Sequence, residues 1–300
     1  MARALIPRRA RGKRFSNSMA PTGWGDSTYA ETAWERSRSA ATRWSIAGVL
    51  LGVLVALVAF APAEWIARAV SSATGERVLM SDARGTIWSG SAVIVLTGGA
   101  GSRDASALPG RLDWSLGLAG TSLALKARQA CCLNDTVTLK LKPGLGRFAV
   151  TMVPTQGSVG QWPSALLGGL GTPWNTLQLG GTIRMQSPGL TVEWVQGRVL
   201  LDGNLDIEVM QASSRLSTLD TLGTYRLSLN GSASNPGEPP QVNLVTVDGA
   251  LKLSGSGTWT PNGLRFRGEA TASEAEAAAL SNLLNIIGRR NGARSVISIG

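Results

Sequence analysis

Histidine is missing altogether from this chain of 300 residues, and cysteine occurs only twice. The first absence removes Ser–His–Asp and Cys–His nucleophile systems, the HExxH zinc site and His-based proton transfer at neutral pH. The second rules out disulfides as the main source of stability and leaves too few ligands for a metal site. Carboxylate chemistry has little better footing. Asp202, Asp206 and Glu208 stand in the alternating stretch LDGNLDIEV, where Asp206 and Glu208 share a polar face opposite Leu205, Ile207 and Val209; they read as a solvent face, not an acid/base pair. The clusters Gly98-Gly99-Ala100-Gly101 and Gly168-Gly169-Leu170-Gly171 lack the Lys-Ser/Thr of a phosphate loop and dinucleotide spacing, so they read as loops. No catalytic, cofactor-binding or metal-binding residue emerges; an enzyme, a cofactor and a small-molecule substrate are not expected.

The net charge of +10 suggests nucleic acid, but its distribution argues against it. The first 43 residues hold nine basic residues against Asp26, Glu31 and Glu35, and beyond them the two signs are mixed. After this tail comes the one long apolar run, Trp44 to Ala63 (WSIAGVLLGVLVALVAFAPA). As a helix it spans the ~30 Å hydrocarbon core, with Trp44 and Trp65 placed as interfacial anchors. Arg36, Arg38 and Arg43 set the orientation even if Met19 is the true start. The positive-inside rule then puts tail 1–43 in the cytoplasm, disordered, and residues 64–300 in the periplasm. A cleaved signal is the competing reading, because Ala59-Phe60-Ala61 has the small-x-small form. The run exceeds a signal h-region, the tail exceeds an n-region, and Pro62 would follow the cut.

From Gly75 onward the apolar period falls from about 3.6 to 2, after a short amphipathic helix expected over Ala63 to Ala73. Val137, Leu139 and Leu141 alternate with Thr138, Lys140 and Lys142. The same pattern recurs around Leu179, Leu227 and Leu251, punctuated by Gly, Asn, Asp and Pro, and Thr260-Pro261-Asn262-Gly263 reads as a tight reversal. The sequence does not supply the crossover helices of a parallel sheet. The expected fold is therefore all-β: a curled, mainly antiparallel sheet behind a transmembrane helix, with one C-terminal helix packed on it. That helix is bounded by an S-x-x-E capping box at Ser273 and Glu276 and by Gly288, with Leu280, Leu283, Leu284 and Ile287 as its buried stripe. Inward large residues (Trp88, Trp114, Trp194, Trp259, Phe266) among small ones (Gly255, Gly257, Gly268, Ala270) predict a filled core with no lipid-sized channel.

The adjacent Cys131 and Cys132 leave three states open: a vicinal disulfide, two buried thiols, or a cross-link to a partner. An oxidising compartment favours the first.

Several segments then resemble a known family in their order: the anchor, GTIWSG at 85–90, LPGRLDW at 108–114, the Cys pair, SRLSTLDTLGTYRLSLNG at 214–231, GALKLSGSGTW at 249–259 and the long terminal stretch 264–300. Together they resemble type II secretion system protein N. The resemblance implies a non-enzymatic inner-membrane accessory part of the machine that exports folded proteins, in contact with other secretion subunits, and it marks Gly85, Trp88, Gly90, Trp114, Gly223, Tyr225 and Gly288 as structural positions. A more distant similarity to large sheet proteins of the AsmA type implies the alternative, a periplasmic lipid-binding or lipid-transfer module.

Overall fold

The computed structural model describes residues 42–232, 238–260 and 263–300. The expected cytoplasmic tail and the Pro261-Asn262 tip of the expected reversal lie outside the described residues. Two compact units meet between Val58 and Ala59. The first contributes helix α1 (Thr42–Ala59), long and apolar enough to cross a membrane and nowhere buried. The helix stops before the apolar run does. Pro62 biases the residue before it away from helical backbone, and Ala61 and Ala63 are instead buried in the second unit. There Pro62 bridges to Thr86, the Ala63 amide donates to the Gly85 carbonyl at 3.0 Å, and the Ile87 amide donates to the Ala61 carbonyl at 2.9 Å.

The second unit opens with α2 (Glu64–Ala73), whose apolar side packs along the first strand. The strands follow as β1 (Val78–Gly85), β2 (Ser89–Thr97), β3 (Ala105–Ala107), β4 (Leu112–Ala119), β5 (Ser122–Gln129), β6 (Val137–Gly144), β7 (Arg147–Met152) and β8 (Ser158–Pro163). A 3-10 segment (Ser164–Leu170) and the single turn α3 (Trp174–Leu177) lead to two long strands, β9 (Leu179–Val195) and β10 (Arg198–Ser214). Then come β11 (Gly223–Gly231), β12 (Gln241–Gly249), β13 (Leu251–Thr260), β14 (Gly263–Ala272), α4 (Ala277–Ile287), β15 (Arg289–Asn291) and β16 (Arg294–Ile299). All pair antiparallel in one 16-stranded sheet, essentially a meander, that stays open with β1 and β15 at its ends. β3 adds to β2, and β8 takes the first half of β9 while β7 takes the second.

The meander gives the sheet two unlike rims. Short reversals join β1 to β2, β4 to β5, β6 to β7 and β9 to β10 at one rim, which also carries the connection from β11 to β12, while the other holds the 3-10 segment, α3, α4 and the Cys131-Cys132 turn along with the short step from β12 to β13. Bulges bend the strands between them. Asp82, at φ 50°, occupies the register shift between Ser81 and Arg84, and Gln211, also at φ 50°, occupies the shift between Val209 and Ala212.

Helix α4 covers one end of the apolar face. Leu280, Leu283 and Leu284 are buried with Tyr225, Leu251 and Ala270, and Ile287 packs against them half-buried. The capping box does not form as expected. Ser273 Oγ bonds the Glu276 carboxylate instead of a backbone amide, a 3-10 turn (Glu274–Glu276) intervenes, and the α-helix begins only at Ala277. Gly288 likewise ends the helix without the left-handed backbone of a glycine cap, at φ −169°. What requires glycine there is space, because a Cβ would lie 2.5 Å from the Val296 carbonyl oxygen. Leu284→Ala should cost about 2–5 kcal/mol of unfolding free energy, measured by chemical denaturation. Ile286→Ala, on the exposed side of the same helix, should change it by less than about 0.5 kcal/mol.

Candidate functional surface

Cross-strand partners share a face of a sheet, and the register lets that face be followed strand by strand. Leu116, Leu125, Leu139, Met152 and Leu190 form one continuous row. Leu118, Leu123, Leu141, Val150, Val192 and Leu201 form the next. Beyond the bulge in β9 the same face continues through Ile207, Leu227 and Leu244. Helix α2 covers one end of it, where Ala63 and Ile66 pack with Ala92, Trp114, Met80 and Leu125; α4 covers the other. Between them, across β5 to β10, Leu139, Leu141, Val150, Met152, Leu190, Val192 and Leu201 are only half-buried. The expected filled core therefore exists at the two ends and not in the middle. Trp194 and Trp259, expected inside, are 41% and 50% exposed, because no element lies over the ends of their strands among the described residues. Trp114 and Phe266 are buried as expected, and Trp88 is half-buried.

The seven motif positions fall into the two covered ends. Gly85 pairs with Gly90, Gly90 pairs with Trp114, and the Trp88 carbonyl accepts the Leu116 amide at 2.7 Å. A Cβ at Gly90 would lie 2.5 Å from the Trp114 ring, so this glycine is what lets the indole lie flat over β2. At the other end Gly223 pairs with Gly249, and the buried Tyr225 hydroxyl donates to the Leu251 carbonyl at 3.0 Å, tying β11 to β13. Burial raises the Tyr225 phenol far above its ordinary value, which keeps it a neutral donor. Gly288 ends α4 beside β16. These residues hold the cover at each end; they do not converge on one reactive point.

Within LPGRLDW, Arg111 does more than the motif suggested. Its guanidinium donates to the Asp82 carboxylate at 2.7 Å and the Asp82 carbonyl at 2.6 Å, and also to Ser91 Oγ and the Ser91 carbonyl, both at 3.1 Å. One side chain thus ties β1, β2 and β4. The link joins residues 29 apart in sequence, and a lone Asp in a strand-like stretch gives no sign of it.

On the opposite, polar face Glu208 meets Arg226 at 2.8 Å and Arg184 at 3.9 Å, and Asp206 accepts from Ser228 Oγ at 2.5 Å. The carboxylates are thus occupied in cross-strand pairs. The sulfurs of Cys131 and Cys132 adjoin in the turn after β5. Trp44 is exposed in the first turn of α1, and Trp65 is half-exposed at the start of α2.

An open antiparallel meander whose apolar face is covered at both ends, preceded by a helix long and apolar enough to cross a membrane and without a reactive cluster among the described residues, has the layout of a sheet scaffold. Residues 76–297 match the family described as type II secretion system (T2SS), protein N, and the chain belongs to that family. The match begins just before β1 and ends within β16, so it spans the sheet and includes residues 154–175; the anchor segment lies outside it. No curated protein and no solved structure matches significantly.

Arg111 first, and then Arg84, hold the Asp82 carboxyl below its ordinary value by hydrogen bonding to its charged form. A lowered folded value means that this contribution is fully present above the unfolded carboxylate range and is lost as pH falls through the folded value. The difference in Tm between the native chain and Asp82→Asn should be constant above about pH 5 and shrink below about pH 4. Thermal melts across that interval measure it.

Proposed function

We propose that this type II secretion component is a single-pass inner-membrane subunit whose sheet unit stands in the periplasm and docks other secretion subunits. In this reading residues 1–43 are a cytoplasmic tail, the membrane segment expected over 44–63 ends with α1 at Ala59, and the chain from Ala61 to residue 300 belongs to the periplasmic part. The observation that carries it is the coincidence of the family match with the whole sheet. Support for the topology comes from the nine basic residues before α1 and from the length and apolarity of that helix. The two cover helices and the polar cross-strand pairs build an extended surface, as suits a scaffold. Oxidation of Cys131 and Cys132 to a vicinal disulfide belongs to the same reading, since the periplasm is oxidising. A second reading, lipid binding, is favoured by one observation: the half-buried apolar rows between α2 and α4.

Protease protection and reporter fusions should place residue 300 in the periplasm on an uncut chain; a soluble form starting at Pro62 would overturn the topology. Cross-linking in intact membranes should capture secretion subunits on the sheet unit. Stoichiometric phospholipid on the purified protein, without such cross-links, would replace docking by lipid handling. Mass spectrometry without reductant should find no free thiol at Cys131 and Cys132, and replacing both by Ser should leave the melting curve almost unchanged, because so small a loop restrains the unfolded chain little.

A further inference from the structure

The short-reversal rim of the sheet is amphipathic in a way that the long-connection rim is not. Phe148, Trp194 and Val199 stand side by side in register on the apolar face next to these reversals, with the two rings 5.9 Å apart. All three are at least 40% exposed, Leu118 is 85% exposed, and Leu145 at the β6–β7 tip is 105% exposed. At the other rim Trp174, Val247 and Ile286 are exposed, but no two of them are cross-strand partners. A row of large apolar side chains held in water is costly, and a contiguous patch of this kind marks a contact surface.

The same reversals carry cations on their other side. Arg147 and Arg198 both neighbour Val195 in register, and Lys142 lies in the row of Ala149 and Glu193. Glu193 lies 3.7 Å from Arg147, leaving three cations against one carboxylate around this stretch of rim. The chain also enters here. Phe60 and Trp65, 78% and 50% exposed, flank the Ala61–Ala63 segment bonded to Gly85 and Ile87 in the β1–β2 reversal.

We infer that this rim seats on the surface of an anionic phospholipid bilayer. Leu118, Leu145, Phe148 and Trp194 enter the boundary between headgroups and acyl chains, and Lys142, Arg147 and Arg198 reach the phosphates. The occupant is a lipid surface because apolar and cationic groups lie on opposite sides of one edge, as a headgroup boundary requires, and because the first residues after α1 are part of that edge. The inference rests on the single-pass reading above. It adds that the sheet unit has its own contact with the membrane and presents the open end of its apolar face to the lipid.

The test uses the full chain in vesicles of phosphatidylcholine with an equal part of phosphatidylglycerol. In a Cys131→Ser, Cys132→Ser background, Leu145→Cys carries an environment-sensitive fluorophore, and Thr218→Cys on the opposite rim serves as the control. The label at 145 should shift to the blue and be quenched by lipid-borne nitroxide, while the label at 218 stays water-exposed. Adding Arg147→Gln and Arg198→Gln should lower the seated-to-free ratio by roughly fivefold per charge removed. A label at 145 that behaves like the one at 218, on a chain that still floats with the vesicles, overturns the inference and leaves the anchored reading standing. A chain that fails to float overturns both. Shielding of 145 from aqueous quencher in native membranes, without quenching by lipid nitroxide, would mean that a protein covers the rim and would also overturn the inference.

Discussion

The sheet depends on keeping its strands in phase. Because side chains alternate with a period of two, a slip of one residue would turn a strand's apolar set to the polar side, and a meander of this length has many places for such a slip. The structure corrects phase locally. Between Gln186 and Gly189, β9 takes one more residue than β10 takes between Asp206 and Asn204, and that extra residue is why Met185 and Leu190, of opposite parity, lie on the same face. This bulge brings the first half of β9, with Met185 opposite Ile207, onto the face of the continuous apolar rows.

Given one apolar face on an open sheet, the remaining elements are answers to where it is covered. Helix α2 closes the β1–β2–β4 end around Trp114, and α4 closes the β11–β14 end around Tyr225 and Leu251. Buried Ser295, donating to the Leu284 carbonyl, fixes α4 to β16. The motif glycines sit beneath the two covers where neighbouring strands and rings approach so closely that a Cβ at Gly85, Gly90 or Gly288 would lie 2.5 Å from its nearest neighbour, so the two ends carry most of the recognisable sequence. The open middle is built from Leu, Val and Met at positions that many residues could fill.

The alternation that makes the strands was legible in the sequence because it is local: Leu139 and Leu141 against Lys140 and Lys142 need no tertiary information. So was the stripe of α4. The start of α4 was not, because Ser273 and Glu276 have the right residues at the right spacing while their side chains bond each other. The exposure of Trp194 and Trp259 was not legible either. Alternation assigns a side chain to a face, but whether anything lies over that face is settled by where α2 and α4 end. Arg111 and Asp82 were hidden for a similar reason, since Asp82 becomes reachable only through the bulge that gives it a left-handed backbone.

The two edges of the sheet are both poor templates for a further strand. An open sheet invites further strands at each margin. At one margin, β1 is broken by the Asp82 bulge and carries Arg84 beside it; at the other, β15 has only three residues, two of them Arg289 and Arg290. A flat, neutral strand at either position would offer a template for another chain. The bulged, charged margins present here instead discourage further strand addition beside an apolar face that is left partly uncovered.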